Sequence, residues 1–182
     1  MHDTAAAGLG GAFDLAYTRL FLMHQSDPVQ TLSRIATLLR PGRWIIAQEP
    51  LRTPAPQSHA QLDALATYWE LVHKVMERAG VPHRSVDDLP RAARAAGLEV
   101  DRVEGFFQVA EPEVGFDIHA GTLAAARTRA TQSGVATEPE IDELLETIRD
   151  AKNKDYQWVT SPFFLDLTLR NPIVEGSAPD IA

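Results

Sequence analysis

The 182-residue chain contains no cysteine. Disulfides, thiolate metal sites and a cysteine nucleophile are therefore excluded, and the absence is compatible with a reducing compartment. Basic residues are in deficit, 17 Lys and Arg against 25 Asp and Glu, for a formal net charge of -8. Phosphate contacts need a basic surplus, so no nucleic-acid partner is expected. Long apolar runs are missing too. None approaches the ~18 residues that suggest a membrane span, so no membrane partner is expected and the location read from sequence is cytoplasmic. The opening "MHDTAAAGLGG" carries Asp3 and no basic flank, so it does not read as a signal peptide. His2, His59, His83 and His119 show no H-x-x-x-H or H-x-H spacing, which leaves no expected metal site. A G-x-S-x-G hydrolase elbow is absent, as are repeats and low-complexity tracts.

What remains is an ordinary globular composition: 45% apolar and 23% charged residues. A chain of this length is expected to form one domain and to bury roughly 70% of its unfolded surface. Residues 1–12 read as a flexible lead-in, 13–172 as the domain, and 173–182, rich in Pro, Gly and Ser, as a frayed tail.

Phe13 to Tyr17 is a short, mostly apolar run that suits a buried parallel strand. Ser26 or Asp27 can cap the helix that follows, and Pro28 suits its first turn. Val29, Leu32, Ile35, Ala36 and Leu39 recur at helical spacing. Pro41 and Gly42 then stop the helix and turn the chain, and "WIIAQ", Trp44 to Gln48, reads as a second buried strand. Two apolar strands joined by a helix in about 30 residues describe a βαβ crossover. "TPAPQS" from Thr53 is a loop. Leu62, Leu65, Trp69, Val72 and Met76 form one stripe of a helix over Ala60 to Ala79, ended by Gly80. A short helix begins near Asp87 or Asp88 and stops at Gly97. A strand through "LEVDRVEGFFQVA" follows, with Gly105 as a kink. An Ala-rich helix is expected over Phe116 to Gln132. A capping box at Thr137–Glu140 opens another, with Ile141, Leu144, Leu145 and Ile148 on its apolar face. In "SPFFLDLTLRNP", Leu165, Leu167 and Leu169 alternate with polar residues, as in a half-buried antiparallel strand. The expected order is β-α-β-α-α-β-α-α-β.

"GLGG" at Gly8 to Gly11 invites a phosphate-loop reading. Such loops follow a strand and open a helix, so that backbone N–H groups face the ligand. These glycines lead into a strand instead, and they read as a lead-in.

The segment "FDLAYTRLFLMHQSDPVQTLSRIATLLRPGRWIIAQEP" resembles the middle of class I S-adenosylmethionine-dependent methyltransferases. The matching residues are Phe13, Asp14, Arg19, His24, Asp27, Pro28, Leu39, Arg40, Pro41, Gly42 and Glu49. Arg43 departs from the family, which usually has a second glycine there. "LPRAARAAGLEV" and "FFLDLTLRNP" extend the likeness to about Pro172 at the level of topology. The family sheet has the order 3-2-1-4-5-7-6, and this chain's strands fall on the fourth to the seventh. The resemblance thus implies an α/β fold: a partial Rossmann-like methyltransferase sheet of four strands, the last antiparallel, with flanking helices. It also implies that the half carrying the acidic-Gly-x-Gly cofactor loop is absent.

By the resemblance, Thr18, Arg19, Leu20 and His24 would line one wall of an S-adenosylmethionine site, with main-chain contacts at Thr18 and Arg19. Glu49, Trp69 and His73 would serve a small-molecule substrate. His24 is weighed as a proton acceptor, since His titrates near neutrality, against a helix-entry residue that bonds locally. Glu49 would end the fifth strand at the same sheet end. Trp69 and His73, four apart, share a helix face. Asp14 reads as structural. Methyl transfer demands alignment above all, so no catalytic residue is named. Without the missing strands the first strand is an exposed edge, the expected contact for a homodimer or a partner chain. Two readings follow: a methyltransferase incomplete on its own, or a non-catalytic subunit or oligomerising binding module using that edge.

Overall fold

The computed structural model describes residues 8–51, 63–81, 86–151 and 159–173. The expected tail beyond Ile173, the loop at Thr53, and His2, His59 and His83 lie outside them. The elements are β1 (Phe13–Arg19), a single 3-10 turn (Leu22–His24), α1 (Pro28–Leu38), β2 (Leu39–Pro50), α2 (Asp63–Arg78), α3 (Asp88–Ala95), β3 (Glu99–Ala110), α4 (Pro112–Gln132), α5 (Glu138–Ala151) and β4 (Val159–Arg170). Their order is the one expected from sequence. The four strands form one sheet in the order β1-β2-β4-β3. The order agrees with the pattern that the resemblance implied for the four strands.

β1 and β2 are parallel, with Leu15 beside Trp44, Tyr17 beside Ile46 and Arg19 beside Gln48. β4 runs against β2. Gly42 and Arg43 exchange backbone hydrogen bonds with Asn171 near one end, and the Leu51 N–H donates to the Phe163 carbonyl at 2.8 Å near the other. Arg170 reaches Glu99, while Phe106 stacks on Phe164 and Phe107 meets Phe163, so β3 is antiparallel to β4 as well. The fold is therefore a mixed four-stranded α/β sheet with flanking helices.

The chain divides into two compact units. One takes in β1, α1, α3, β2 to Pro50, β3 to Gly105 and β4 from Leu165; the other takes in α2, α4, α5 and the remainder of β3 and β4. In the first unit, α1 packs against α3 and β2. Its core is built from Leu32, Ile45, Ala47, Leu89, Leu167 and Leu169, all fully buried. Asp27 caps α1 through a 2.9 Å bond from the Gln30 N–H, with Pro28 in the first turn. In the second unit, α2, α4 and α5 pack on one another around Tyr68, Phe116, Leu123, Ile141, Leu145 and Ile148. The capping box of α5 is formed: the Thr137 N–H donates to Glu140 at 2.7 Å, and the Glu140 N–H reaches back to the Thr137 hydroxyl. The Thr137 backbone bond, first, holds the Glu140 carboxyl below its usual range.

Three features differ from the sequence reading. Leu39 leaves the helix and opens β2, and Pro41 and Gly42 lie inside the strand instead of ending a turn. Gly42 makes this possible with φ of +77°, and the register between β1 and β2 shifts there, from Phe13–Leu39 to Leu15–Trp44. The fully turned-in face of α2 is Tyr68, Leu71 and Val75, with Leu65, Trp69 and Val72 only partly buried beside it. The two apolar rows are interleaved along the same helix, and tertiary contacts select between them. α4 begins at Pro112, a turn before Phe116, because proline fits the first helical turn without losing a bond. Gly8–Gly11 makes a turn before β1: the Gly11 N–H donates to the Thr37 carbonyl and the Ala12 N–H to the Leu9 carbonyl.

Candidate functional site

The carboxyl ends of two neighbouring parallel strands are where open α/β sheets bind ligands. Here those ends are Thr18 and Arg19 of β1, with Leu20 just after them, and Gln48–Glu49 of β2. Thr18 sits on the same side of the sheet as its neighbour Ala47, and its side-chain oxygen is buried without a hydrogen-bond partner. A buried hydroxyl left this way is costly, and such orphans concentrate at functional sites. Arg19 follows, beside Gln48.

Leu20 then takes a left-handed backbone conformation, φ +53°, the one non-glycine among the described residues to do so. For a residue with a Cβ this costs about 1–2 kcal/mol and persists only where neighbours enforce it. The enforcers are visible. The Leu20 N–H donates to the Gln48 carbonyl at 3.1 Å. The next three N–H groups are taken by one side chain. Phe21 donates to both Glu49 oxygens at 3.2 and 3.0 Å, Leu22 to Oε1 at 3.0 Å and Met23 to Oε2 at 3.1 Å. Glu49 is fully buried, and its carboxylate faces the turn that carries His24. The His24 side chain is exposed, and the backbone N–H of His24 donates to the Phe21 carbonyl at 3.1 Å.

Thus the structure brings Thr18, Arg19, Leu20, His24 and Glu49 together around one loop. Trp69 and His73 belong to the other unit. They do share a face of α2, with ring centroids 5.9 Å apart. Sequence reading missed the two residues that complete this cluster. His119 of α4 lies 5.0 Å from Tyr68 and 5.4 Å from Trp69, ring centre to ring centre. It is 4% exposed, and its Nδ1 is buried without a partner. Burial lowers its pKa from 6.5 to about 4, so the ring is neutral at physiological pH. Burial also raises Tyr68 to about 12, against the effect of a hydrogen bond with Thr122. A signal for His119 was present, since it shares the buried side of α4 with Phe116, Ala120 and Leu123 at helical spacing.

Asp14 pairs with Arg40 at 2.5 Å and Arg43 at 2.8 Å. Its hydrogen bond with Arg40, first, holds the carboxyl below the usual range. This exposed cluster ties the start of β1 to the bulge of β2 and gives Arg43 a structural employment where the resemblance led one to expect glycine. Among the described residues no group of three or more His, Asp or Glu is placed to hold a metal, and no helix is long and apolar enough to cross a membrane.

No curated protein matches the chain. Several solved structures are similar over most of its length. The (4+2)-cyclase SpnF is 19% identical, with TM-score 0.46, over 91% of this chain and 52% of its own. A protein from Bacillus halodurans C-125 described as a methyltransferase is 16% identical, with TM-score 0.49, over 90% of this chain and 72% of its own. One from Galdieria sulphuraria, described as a sarcosine dimethylglycine methyltransferase, is 11% identical, with TM-score 0.47, over 90% and 54%. The chain spans about half the length of the first and third of these. At the level of sequence, the family model described as "Methyltransferase domain" matches residues 1–103, more than half of the chain. The chain belongs to the methyltransferase domain family.

Proposed function

We propose that this chain serves S-adenosylmethionine-dependent methyl transfer to a small molecule, and that the ends of β1 and β2 form one wall of the cofactor site. The observation that carries the reading is the orphaned Thr18 hydroxyl beside the left-handed Leu20, at the carboxyl ends of parallel strands in a chain of the methyltransferase domain family. The residues present fit the group in part. The Thr18 hydroxyl offers one donor and two acceptors, and the loop after it is held by hydrogen bonds to Gln48 and Glu49. S-adenosylmethionine, when bound, supplies a methyl group on a positively charged sulfur. The chain's own contribution is to hold and orient: Thr18, Arg19 and Leu20 as the wall, with His24 at the rim as a candidate to accept a proton from the acceptor. Trp69 and His73 are proposed as substrate contacts. A single wall buries too little of such a ligand for tight binding. The opposite wall is therefore assigned to chain outside the described residues or to a partner.

The test is calorimetric titration of the purified chain with S-adenosylmethionine, with the oligomeric mass recorded in the same sample. Binding that Thr18→Val weakens about tenfold, the worth of one hydrogen bond, is the expected result. No binding in a folded sample would remove a cofactor role for the chain by itself.

A second reading is favoured by β1, the sheet edge, where Phe13 is 45%, Leu15 54% and Tyr17 58% exposed. In it the chain is a non-catalytic subunit that associates through that edge.

A further inference from the structure

We infer that Glu49 is a positioning residue: its buried carboxylate fixes the Phe21–Met23 turn, and through it the conformation of Leu20 and the placement of Thr18 and His24. That the positioned loop faces S-adenosylmethionine rests on the reading above; the clamp itself does not.

The chemistry of the contact carries the inference. A carboxylate withdrawn from water is costly unless its lone pairs are filled. Glu49 is fully buried on β2, and its four hydrogen bonds come from backbone N–H groups of three consecutive residues. Those groups are donors that a helical turn leaves unsatisfied at its start. The residue in the capping position, Phe21, has no side chain able to serve them, and none does. A residue 28 positions away in sequence does the work of a local cap. The cross-strand arrangement does more than finish a turn. Leu20 is pinned through its own N–H by Gln48, and the residue after it by Glu49. Two successive residues at the end of β2 thus hold a conformation that Leu20 does not favour alone. A Ser or Asp at position 21 would cap the turn without tying it to β2. The buried carboxylate makes the loop's geometry depend on the strand end beside it.

Hydrogen exchange followed by NMR on the full chain tests this without any cofactor. In Glu49→Gln an amide group replaces one acceptor oxygen and turns its own donors toward the three N–H groups. The amides of Phe21, Leu22 and Met23 are expected to exchange at least tenfold faster. Those of α1 and of Ile45–Ala47 should stay within about threefold, and the Thr18 and His24 resonances should shift. Leu20→Gly in the Glu49→Gln background should slow the turn's exchange again by several-fold, since glycine takes the left-handed conformation freely. A residue that only fills space would show no such rescue. Unchanged protection at the three amides, or an equal loss across the whole first unit, would overturn the inference. If the clamp behaves as described but wild-type protein does not bind S-adenosylhomocysteine, the cofactor reading fails and the positioning role stands. If wild type binds, Glu49→Gln is expected to weaken binding at least fivefold.

Discussion

His119 gives the clearest solution signature of any single side chain in the second unit. Its ring packs against Tyr68 and Trp69 and holds an unpartnered nitrogen. The folded state keeps it neutral, with a pKa of about 4 against 6.5 when exposed. The sign follows from linkage. Above pH 6.5 neither state binds the proton and nothing is lost. As pH falls below 6.5 the unfolded chain takes up a proton that the folded chain refuses until about pH 4, so stability drops across that window. Between pH 7.5 and 5.0 the expected loss is about 2 kcal/mol. Asp142 and Glu140, whose carboxyls are held low by Arg127 and Thr137, add their own losses at still lower pH. Urea unfolding at the two pH values measures the drop, and His119→Phe should remove most of it. An undiminished drop in the variant would assign the effect elsewhere. The helical spacing of His119 marks its burial but not the residues it meets. Trp69 and His73 could be paired from a helix spacing of four. His119 joins them only through the packing of α4 on α2, which no local pattern encodes. Glu49 was visible as the acidic end of a strand, but its partners are backbone N–H groups, and these leave no trace in residue identity.

At the scale of elements, the chain announces itself well where punctuation is chemical. Pro28, Gly80, Gly97, Gly134 and the Thr137–Glu140 box mark helix ends that the structure reproduces. The start of β2 was misread because Pro and Gly together signal a turn, whereas here Gly42 absorbs a bulge inside a continuing strand. What stabilises that bulge comes from far away. The Asn171 side chain donates to the carbonyls of Ala36, Leu39 and Arg40 at 3.2 to 3.3 Å, where the chain passes from α1 into β2. Its backbone meanwhile pairs with Gly42 and Arg43 at 2.7 Å. Asn171→Ala keeps the backbone bonds and removes the side-chain ones. The expected cost is about 1–2 kcal/mol in chemical denaturation, the net worth of one or two hydrogen bonds. A change below a few tenths would mean that water covers those carbonyls equally well.

For the whole molecule, the strand order and the family match were legible from one segment of the chain, because the βαβ unit at Phe13–Glu49 carries both the fold pattern and the family's motif. The surface around β1 is a different matter. Phe13, Leu15 and Tyr17 alternate along an edge strand and stand nearly half exposed or more, with Ile46 beside Tyr17 also exposed. Natural edges are usually blunted by charge, and here Asp14 is spent on Arg40 and Arg43. We propose a second copy of the chain as the occupant. Antiparallel pairing of two β1 strands about Ala16 sets Leu15 opposite the copy's Tyr17, Phe13 opposite its Arg19 and Asp14 opposite its Thr18. The pairs other than Asp14 with Thr18 are apolar or cation on aromatic, and no like charges meet. Sedimentation of the wild-type chain should then show a concentration-dependent dimer. Tyr17→Lys places lysines where the two apolar side chains would pack, and should shift the sample to monomer with its circular dichroism unchanged. Ala16→Cys should form a symmetric disulfide on mild oxidation. A wild-type monomer at all concentrations, or a dimer indifferent to Tyr17→Lys, would exclude self-pairing and leave this edge to a different chain.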